Sequence, residues 1–468
     1  MLTRLEVDGF KNLLGFAADF GPFTCIAGPN GVGKSNLFDA IRFLSLLADH
    51  NLVMAGSLVR QVGGDTSDLQ DLFWRNSSGA TQRFRIAAEM LVDRNVTDDF
   101  GRPAAATSTF LRYEVEIGYD GPPQRTVGER LTLLSEQLHY FTEGKAARRL
   151  KFPHSRARFR EAAVVNERHS PAGYISVRTA EDGQTEIHIH GDGGSRGPGQ
   201  VAPAAQARAT IVGTSNTSGT PTILAARREM QRWHFLALEP SAMRQPDRFQ
   251  ADPTLSPHGA HLPAVLYRLA AGASGDDSEA VYARTANRLA ALVPVVGLRV
   301  DVDQVRRLLT LVVEEQGGVR LPASSLSDGT LRFLALAVLA ADPEATGLYC
   351  IEEPENGIHP ARLTEMVHLL RDLAVNPDEK PDADNPFRQV IVATHSPAFV
   401  QLQRPDDLLF AVETLSRDSG GRPMRTLRCR PVENTWRARS GVPAVGGTTI
   451  LDYLGNPPCS QLTLPDLV

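Results

Sequence analysis

The sequence has few cysteines and no long hydrophobic run. Among its 468 residues there are four cysteines, and none of them stands in a CxxC spacing. This pattern argues against a disulfide framework and against a cysteine-rich metal site, so we expect reduced core residues at Cys25, Cys350, Cys429 and Cys459. No segment approaches the roughly 18 to 20 uncharged apolar residues that a membrane span needs, and the first residues lack the apolar core of a signal peptide. We therefore expect a soluble, cytoplasmic protein with no membrane partner.

The sequence also has little net charge. Lys and Arg number 49 and Asp and Glu number 54, which gives a formal net charge of −5 and no global electrostatic reason to bind DNA or anionic lipid. Hydrophobic residues make up 42% and charged residues 22%, a globular composition that excludes a mostly disordered chain. At roughly 150 residues per domain, the length predicts two to four structural units.

A phosphate-binding loop follows the second strand-like run. The apolar run FGPFTCIAG closes on Gly28, and the range Gly28–Ser35 fits the pattern G-x-x-x-x-G-K-[ST]. Apolar residues at 37, 38, 41, 44 and 47 then predict a helix, so strand, loop and helix stand in the order that a P-loop requires. Because strand, loop and helix stand in this order, a nucleotide-binding loop is a better interpretation than a chance match to the pattern. The residues predicted to bind the nucleotide are Gly28, Pro29, Asn30, Gly31, Val32, Gly33, Lys34, Ser35 and Asn36.

The chemistry of the loop explains this pattern. Glycines let backbone N–H groups close around phosphate oxygens, and the helix that follows points its positive end at the same anion. We expect Lys34 to reach the β- and γ-phosphates of ATP and the Ser35 hydroxyl to bind Mg²⁺.

Two adjacent carboxylates follow a buried strand far along the chain. The apolar run Leu348 to Ile351 ends at Glu352 and Glu353, where an α/β sheet places its site. Beside a P-loop, the first carboxylate is expected to hold the Mg²⁺ shell and the second to orient or deprotonate the attacking water. The alternative is an ordinary pair of surface glutamates.

Two shorter segments flank this pair. LSDGT at 326–330 precedes an apolar helix, and THSP follows a strand that ends near His395. Taken alone, the first is an ordinary helix N-cap and the second a turn residue. Together, however, four motifs follow one another along the chain: the P-loop, LSDG, EEPE with a following His-Pro, and THSP. This order resembles that of the SMC, RecF and OLD-like branch of the ABC-type ATPases. The resemblance is greatest to the bacterial ATPases of RecF and OLD type within the AAA family.

The resemblance implies further roles and partners. In that family, two heads form a homodimer around two ATP molecules, so Ser327 and Gly329 would contact the γ-phosphate held by the other subunit, while Asp328 departs from the usual glycine. Glu352 would bind Mg²⁺, Glu353 would be catalytic, and His395 would contact the γ-phosphate. A lid glutamine is also expected, and the candidates are Gln61 and Gln70.

These observations predict an α/β fold, with a P-loop ABC-type ATPase head built on a mostly parallel core sheet, an antiparallel β subdomain and an α/β insertion. The core is expected at 1–50 and 320–415, the insertion at 51–319 and a C-terminal extension at 416–468. Within them, the polar segments at about 191–221 and at 376–386 are predicted to be poorly ordered loops. In the insertion, strand-like runs at 83–92, 111–119, 174–180, 185–190 and 309–315 predict the antiparallel sheet, and helices are expected around 223–238, 262–271 and 279–292.

The insertion carries one basic segment. Its basic residues outnumber two glutamates, Glu161 and Glu167, for a local charge of +6, which suits either DNA phosphates or the acidic face of a partner. The alternative is a solvated face balanced by acids elsewhere. Neither the His pair at 188 and 190 nor the DVD at 301–303 has companion metal ligands, and no second active site is found. The basic residues are Lys145, Arg148, Arg149, Lys151, Arg156, Arg158, Arg160 and Arg168.

The preferred functional hypothesis is an ATP-hydrolysing molecular switch whose head dimer controls DNA or a separate effector protein, in DNA repair or in antiphage defence. The alternative is a largely non-catalytic scaffold that assembles on ATP and sequesters a toxin or nuclease. A transporter subunit is a third reading, disfavoured by the long insertion and by the GFKN opening.

Overall fold

The computed structural model describes residues 1–59, 68–76, 79–120, 130–181, 183–193, 200–272, 277–417, 423–438 and 442–455. In chain order, its strands are Leu2–Asp8 (β1), Phe16–Asp19 (β2), Phe23–Ala27 (β3), Arg75–Asn76 (β4), Gly79–Ala80 (β5), Arg83–Leu91 (β6), Asn95–Thr97 (β7), Pro103–Ala105 (β8), Phe110–Asp120 (β9), Arg130–Tyr140 (β10), Ile175–Thr179 (β11), Thr185–Ile189 (β12), Gln200–Pro203 (β13), Trp233–Leu236 (β14), Asp247–Arg248 (β15), Val295–Asp303 (β16), Leu308–Glu315 (β17), Arg320–Pro322 (β18), Gly347–Glu352 (β19), Arg388–Thr394 (β20), Leu408–Arg417 (β21) and Pro423–Pro431 (β22).

The α-helices are Lys34–Leu47 (α1), Leu52–Leu58 (α2), Glu143–Arg149 (α3), Glu161–Ala163 (α4), Ile211–Thr214 (α5), Pro221–Gln231 (α6), Pro240–Met243 (α7), Leu262–Gly272 (α8), Asp277–Ala290 (α9), Asp328–Ala341 (α10), Leu363–Leu373 (α11), Pro397–Gln401 (α12) and Gly447–Gly455 (α13). Within the described residues, no helix combines the length and the apolar character needed to cross a bilayer.

A six-stranded sheet forms the centre of the fold, in the order β14-β19-β20-β3-β21-β22. Its strands pair in parallel except for the last pair, β21 and β22, which is antiparallel. Successive side chains of a strand point to opposite faces, so a strand covered on both faces is apolar throughout. The fully buried pattern of β3 and β20 follows this rule. The predicted α/β class with a mostly parallel core sheet is confirmed.

The two faces of the parallel sheet have different coverings. Ile26 and Ile391 share a hydrophobic cluster with the P-loop helix α1 and with the antiparallel sheet. Their strand neighbours Cys25, Val390 and Val392 belong to a second cluster with α8, α10 and α11. The helix that follows the phosphate-binding loop is therefore packed between two sheets.

An eight-stranded antiparallel sheet, in the order β13-β12-β11-β10-β9-β6-β1-β2, forms the other layer. The long strands β9 and β10 show the alternation of a sheet with one buried face, whereas β6 is buried continuously from Ile86 to Leu91. An antiparallel sheet is what the sequence predicts for the insertion. The first two strands of the chain belong here, because β1 pairs with β6 and β2 pairs with β1. The range 1–50 thus divides between the two sheets.

Two strands of the parallel sheet lie outside the ranges predicted for the core. The edge strand β14 comes from the insertion, where the apolar run around 223–238 indicated a continuous helix. The helix α6 instead ends at Gln231, and the four residues of β14 pair with β19. The other edge strand, β22, comes from the C-terminal extension. With four residues, β14 is too short for a period to show.

The segment at 191–221, predicted as a poorly ordered loop, contains short regular elements joined by loops. Residues 194–199 lie outside the described residues, and β13, a short 3₁₀ helix at 204–206 and α5 lie in the remainder. Tertiary contacts hold this segment, since the Thr210 hydroxyl donates to the carbonyl oxygen of Leu47 at 3.3 Å. The segment at 376–386 is a loop as predicted, although the Asn385 side chain bonds to backbone groups of residues 376 and 380.

Three of the cysteines are free and buried: Cys25, Cys350 and Cys429. Burial raises the pKa of each thiol, to about 12 for Cys429. These thiols are thus inert core groups, as expected. Cys459 lies outside the described residues.

Candidate functional site

The phosphate-binding loop joins the end of β3 to the start of α1. Gly31 and Gly33 adopt φ values of 80° and 106°, in the left-handed region that favours glycine. A Cβ atom on Gly33 would lie 2.3 Å from the Asn12 side chain, so a larger residue does not fit there. The backbone path of the loop therefore favours glycine at both Gly31 and Gly33.

Asn12 supports this loop, although the sequence did not indicate such a role. Its Nδ2 donates to the carbonyl oxygen of Val32 at 3.1 Å, and its Oδ1 accepts a hydrogen bond from Asn36 at 2.9 Å. Beside it, Lys11 forms an ion pair with Asp39 of α1 at 2.7 Å. The only feature of the sequence that pointed to Asn12 was the GFKN segment near the start of the chain, which is part of the family resemblance.

Lys34 lies almost buried at the first position of α1. Its Nζ donates to the carbonyl oxygens of Gly28 at 2.7 Å and Pro29 at 2.9 Å. Burial lowers the pKa of this ammonium, and the nearby carboxylates of Glu353, Glu352 and Glu355 act in the opposite direction. A buried cation bonded only to neutral oxygens is an attractive partner for an anion.

A cleft of about 260 Å³ opens beside this lysine. It brings the P-loop together with Glu352 and Glu353, which are more than 300 positions away in sequence, because β3, β20 and β19 are neighbours in the parallel sheet. Their C-terminal ends meet at one edge, where α/β sheets bind their ligands. The residues that line the cleft are Asn30, Gly31, Gly33, Lys34, Ser35, Asn36, Glu352, Glu353 and Ala393.

The cleft offers oxygen donors for a cation. Ser35 and Glu352 both line it, and hydroxyl and carboxylate oxygens are the donors that Mg²⁺ prefers. In the part of the chain that the structure describes, no cluster of three or more His, Cys, Asp or Glu side chains could hold a metal by itself. This suits Mg²⁺, which uses one or two protein ligands and completes its shell with water and substrate phosphates. The residues present thus fit the expected ion.

Glu353 is held in one orientation by two side chains. Its Oε1 lies 2.5 Å from Nδ1 of His395, and its Oε2 accepts a hydrogen bond from Asn356 at 2.8 Å. The backbone of Glu353 has a φ of 48°, which is strained for a residue with a side chain. His395 reaches it from the residue directly after β20. The strain and the double contact mark Glu353 as the most constrained carboxylate of the cleft, and Asn356 was not foreseen from the sequence.

The LSDG segment does not line this cleft. Ser327 caps α10 by accepting a hydrogen bond from the Thr330 N–H at 3.2 Å, and its side chain is exposed. Asp328 is exposed too and pairs with Arg244 at 2.6 Å. Gly329 packs so closely on the loop after Glu353 that a Cβ atom would lie 2.1 Å from the carbonyl oxygen of Gly357. Neither Ser327 nor Gly329 lines the cleft of its own chain.

The two candidates for the lid glutamine have different positions. Gln61 lies outside the described residues. Gln70 lies in a 3₁₀ turn and donates to the Tyr119 hydroxyl of β9 at 2.7 Å. Its contacts are therefore with the antiparallel sheet, and neither assignment is tested by the structure.

Much of the basic segment is neutralised within the chain. Arg149 pairs with Glu89, Lys151 with Asp19, and Arg158 with Glu379. Two more members, Arg156 and Arg168, are also engaged: Arg156 pairs with Glu161 and Arg168 is buried, donating to three backbone carbonyls. In the described residues, the side chains without such partners are those of Lys145, Arg148 and Arg160. Three acids that are distant in sequence, Glu89, Asp19 and Glu379, thus offset half of the local charge of +6.

The other candidate ligands have structural partners. His188 bonds to Glu186 on the same strand, β12, and His190, directly after β12, bonds to Ser176 of β11. In the DVD segment, Asp303 accepts hydrogen bonds from the backbone of the hairpin turn that follows it.

The chain is similar to known proteins of chromosome maintenance over short stretches. It is 40% identical over 77 residues to "Structural maintenance of chromosomes protein 1" of Schizosaccharomyces pombe, which covers 14% of this chain and 6% of that protein. It is 36% identical over 80 residues to "DNA replication and repair protein RecF" of Porphyromonas gingivalis, which covers 17% of this chain and 21% of that protein. The chain thus spans only a small part of these relatives.

Solved structures and a family model give longer matches. An Smc head bound to the C-winged helix domain of ScpA has a TM-score of 0.45 at 15% identity, covering 92% of this chain and 98% of that one. The SMC head domain from Thermotoga maritima has a TM-score of 0.36 at 12% identity, covering 92% of this chain and 99% of that one. The model of the family described as "AAA domain, putative AbiEii toxin, Type IV TA system" matches residues 23–160 and 234–401. Because this match takes in more than half of the chain and both halves of the cleft, the chain belongs to this AAA-domain family, and its short stretches of identity are to RecF and to an SMC protein.

Proposed function

We propose that the protein is an ATP-hydrolysing molecular switch. The observation that carries this proposal is the meeting of Lys34, Ser35 and the Glu352–Glu353 pair in one cleft. The chain supplies there a cation for phosphates, oxygen donors for Mg²⁺ and an oriented carboxylate for water, which are the parts that phosphoryl transfer requires.

Each group has a distinct proposed task. The backbone N–H groups of the loop and Lys34 bind the β- and γ-phosphates, while Ser35 and Glu352 hold Mg²⁺, which neutralises charge on the phosphates when bound. Glu353 orients the attacking water and accepts its proton. His395, whose Nδ1 faces Glu353, has Nε2 on the other side of its ring for the γ-phosphate. Positioning and electrostatics thus supply most of the rate.

A second copy of the chain completes the proposed site. Ser327 is exposed at the start of α10 and is absent from the cleft of its own chain, so it is available to a nucleotide held by another subunit. The N-terminus of this 14-residue helix favours an anion. ATP would therefore join two heads in a homodimer, and hydrolysis would release them.

The switch is proposed to control DNA or a separate effector protein. The 36% identity to a DNA replication and repair protein over 80 residues supports a role at DNA, and Lys145, Arg148 and Arg160 are the unpaired cations of the basic segment that would contact phosphates. The process in which the switch acts is proposed to be DNA repair or antiphage defence.

The substitution Glu353→Gln tests the proposed hydrolysis. It removes the base and keeps the shape of the side chain, so we expect normal ATP binding and a loss of turnover of at least about 100-fold. The measurements are phosphate release and equilibrium nucleotide binding. Glu143→Gln, at the exposed start of α3, is the control and should leave both unchanged. Turnover by Glu353→Gln at the wild-type rate would show that Glu353 is not the base.

One observation favours the alternative of a non-catalytic scaffold. Both carboxylate oxygens of Glu353 accept a hydrogen bond from the protein, from His395 and from Asn356. If this arrangement persists with ATP bound, water has less access to the carboxylate. ATP-dependent assembly by the wild-type protein without measurable turnover would select this alternative.

A further inference from the structure

The acidic segment contains a third glutamate that the proposed chemistry does not use. Glu355 is 8% exposed and does not line the cleft. Its Oε1 accepts a hydrogen bond from the Thr394 hydroxyl. Its Oε2 is buried and has no hydrogen-bond partner within the described residues.

Burial of this carboxyl group works against stability. A buried oxygen without a partner loses its hydration and gains no hydrogen bond in return. Burial accordingly raises the pKa of Glu355, and the Glu353 carboxylate nearby raises it further. The fold would lose little by having an apolar residue here, so the glutamate calls for a reason other than stability.

The partner of Glu355 connects three parts of the site. The Thr394 carbonyl oxygen accepts a hydrogen bond from the N–H of Gly28, at the start of the P-loop, at 3.2 Å. The Thr394 hydroxyl accepts one from the N–H of Ser396 at 3.0 Å while it donates to Glu355. Thr394 and Ser396 are the two chain neighbours of His395. One hydroxyl thus ties the backbone on both sides of His395 to the carboxyl group of Glu355.

We propose that Glu355 is a positioning residue for the proposed hydrolysis, which holds His395 against Glu353 through the Thr394 hydroxyl. This inference rests on the proposed function. Glu353 and Glu355 lie in the same turn after β19. Glu353 contacts His395 and Glu355 contacts the preceding residue, Thr394, so two neighbouring bonds link this turn to the end of β20. Without Glu355, the Thr394 hydroxyl loses its acceptor, and the histidine backbone is restrained only by β20 on one side and by the cap of α12 on the other. Glu355 touches neither phosphate nor water in this arrangement.

Paired substitutions test the proposal in the full-length protein with Mg²⁺ and ATP. Glu355→Ala removes the acceptor of the Thr394 hydrogen bond and should lower kcat by about tenfold or more, with KM and nucleotide affinity changed by less than about threefold. Thr394→Val removes the donor and should match it. Glu355→Gln keeps an oxygen that can accept from the hydroxyl, so kcat should return to within about threefold of wild type.

A second readout does not require turnover. His395 has a side chain 29% exposed, so its reaction with diethyl pyrocarbonate can be followed by mass spectrometry. We expect faster modification of His395 in Glu355→Ala and in Thr394→Val than in wild type, and the wild-type rate in Glu355→Gln.

Thr426→Val is the matched control. Thr426 is a buried threonine of the same sheet, bonded to Thr414 on β21, so its loss should affect thermal stability alone. Wild-type kcat and wild-type His395 modification in Glu355→Ala would overturn the inference, and so would a Glu355→Gln protein as impaired as Glu355→Ala. A wild-type protein without turnover would refute the proposed function instead, and the modification rates would still decide the positioning role.

Discussion

At the residue scale, Lys34 is the side chain on which nucleotide binding depends most directly. Its ammonium is buried and bonded to two carbonyl oxygens, which an ATP phosphate can replace with a charge-assisted contact. We expect Lys34→Ala to weaken ATP binding by at least about 100-fold, measured by equilibrium titration with a fluorescent analogue.

The control for this prediction is Lys145→Ala, which removes an exposed lysine of α3 without an ion pair in the described residues. Its ATP affinity should equal that of the wild-type protein. Wild-type affinity in Lys34→Ala would mean that the cleft is not the nucleotide site.

Sequence reasoning reached the residues of the motifs and missed those that support them. Lys34, Ser35 and Glu353 lie in short patterns whose chemistry is local, and the structure places all three in one cleft. Asn12 and Asn356 form hydrogen bonds to residues of the motifs, and no sequence pattern indicates these bonds. A polar residue in a loop has no periodicity, so only the tertiary structure shows which group it bonds.

At the scale of elements, the contact between α10 and the loop after β19 is tight enough to test. A Cβ atom on Gly329 would meet the carbonyl oxygen of Gly357 at 2.1 Å, a clash with backbone that cannot be relieved by a rotamer change. We expect Gly329→Ala to lower the free energy of unfolding by about 2 kcal/mol, because overpacking outweighs the gain in helix propensity.

Gly144 offers the matched control for this measurement. It lies in α3, and a Cβ atom there would meet nothing within 4 Å. Gly144→Ala should therefore be neutral or stabilising by up to about 1 kcal/mol in the same denaturant unfolding experiment. Equal stability of the two variants would show that α10 is not closely packed on the loop.

A second element contact makes stability depend on pH. Glu136 of β10 is fully buried and accepts hydrogen bonds from the N–H groups of Ile211 at 2.6 Å and Val212 at 3.0 Å. These residues begin α5, which packs on the last turn of α1. Burial raises the pKa of Glu136 to about 7, while the two N–H groups and the Tyr113 hydroxyl act against this rise.

The sign of this pH dependence follows from proton linkage. A carboxyl group with a raised pKa binds more protons in the folded state, so its contribution to stability falls as pH rises from about 4.5 through about 7. Between about pH 5 and about pH 8, we expect the wild-type protein to lose about 3 kcal/mol relative to Glu136→Gln, which cannot ionise. Thermal unfolding of both proteins across this range checks the prediction, and a constant difference between them would contradict it.

Sequence periodicity predicts the long helices and strands of this protein better than the short ones. The strands β6 and β9 and the helix α10 were predictable, because each forms an apolar or alternating run of nine or more residues. The strand β14 has four residues and directly follows α6, so its apolar side chains extended the helical pattern. Pairing with β19, a non-local interaction, decided its conformation.

At the scale of the whole molecule, the LSDG segment, which does not line the cleft of its own chain, predicts an ATP-dependent dimer. With hydrolysis blocked by Glu353→Gln, we expect ATP to double the mass measured by light scattering. Adding Ser327→Arg places a bulky cation at the exposed start of α10 and should keep the protein monomeric while each subunit still binds ATP.

Thr179→Arg in the same background is the control, since Thr179 is an exposed residue at the end of β11. It should dimerise with ATP as the parent does. Dimerisation of the Ser327→Arg protein to the same extent would place the subunit contact elsewhere.

By itself, the sequence determined the P-loop, the carboxylate pair, the α/β class and the presence of an antiparallel insertion, because each depends on residues that are close along the chain. Only the tertiary structure decided which strands join which sheet, which charges of the basic segment are neutralised, and which side chains orient Glu353 and His395. Apart from the bond between Asn356 and Glu353, those features arise from contacts between residues tens to hundreds of positions apart. Burial and hydrogen-bond geometry select such contacts, and neither quantity is present in a local pattern.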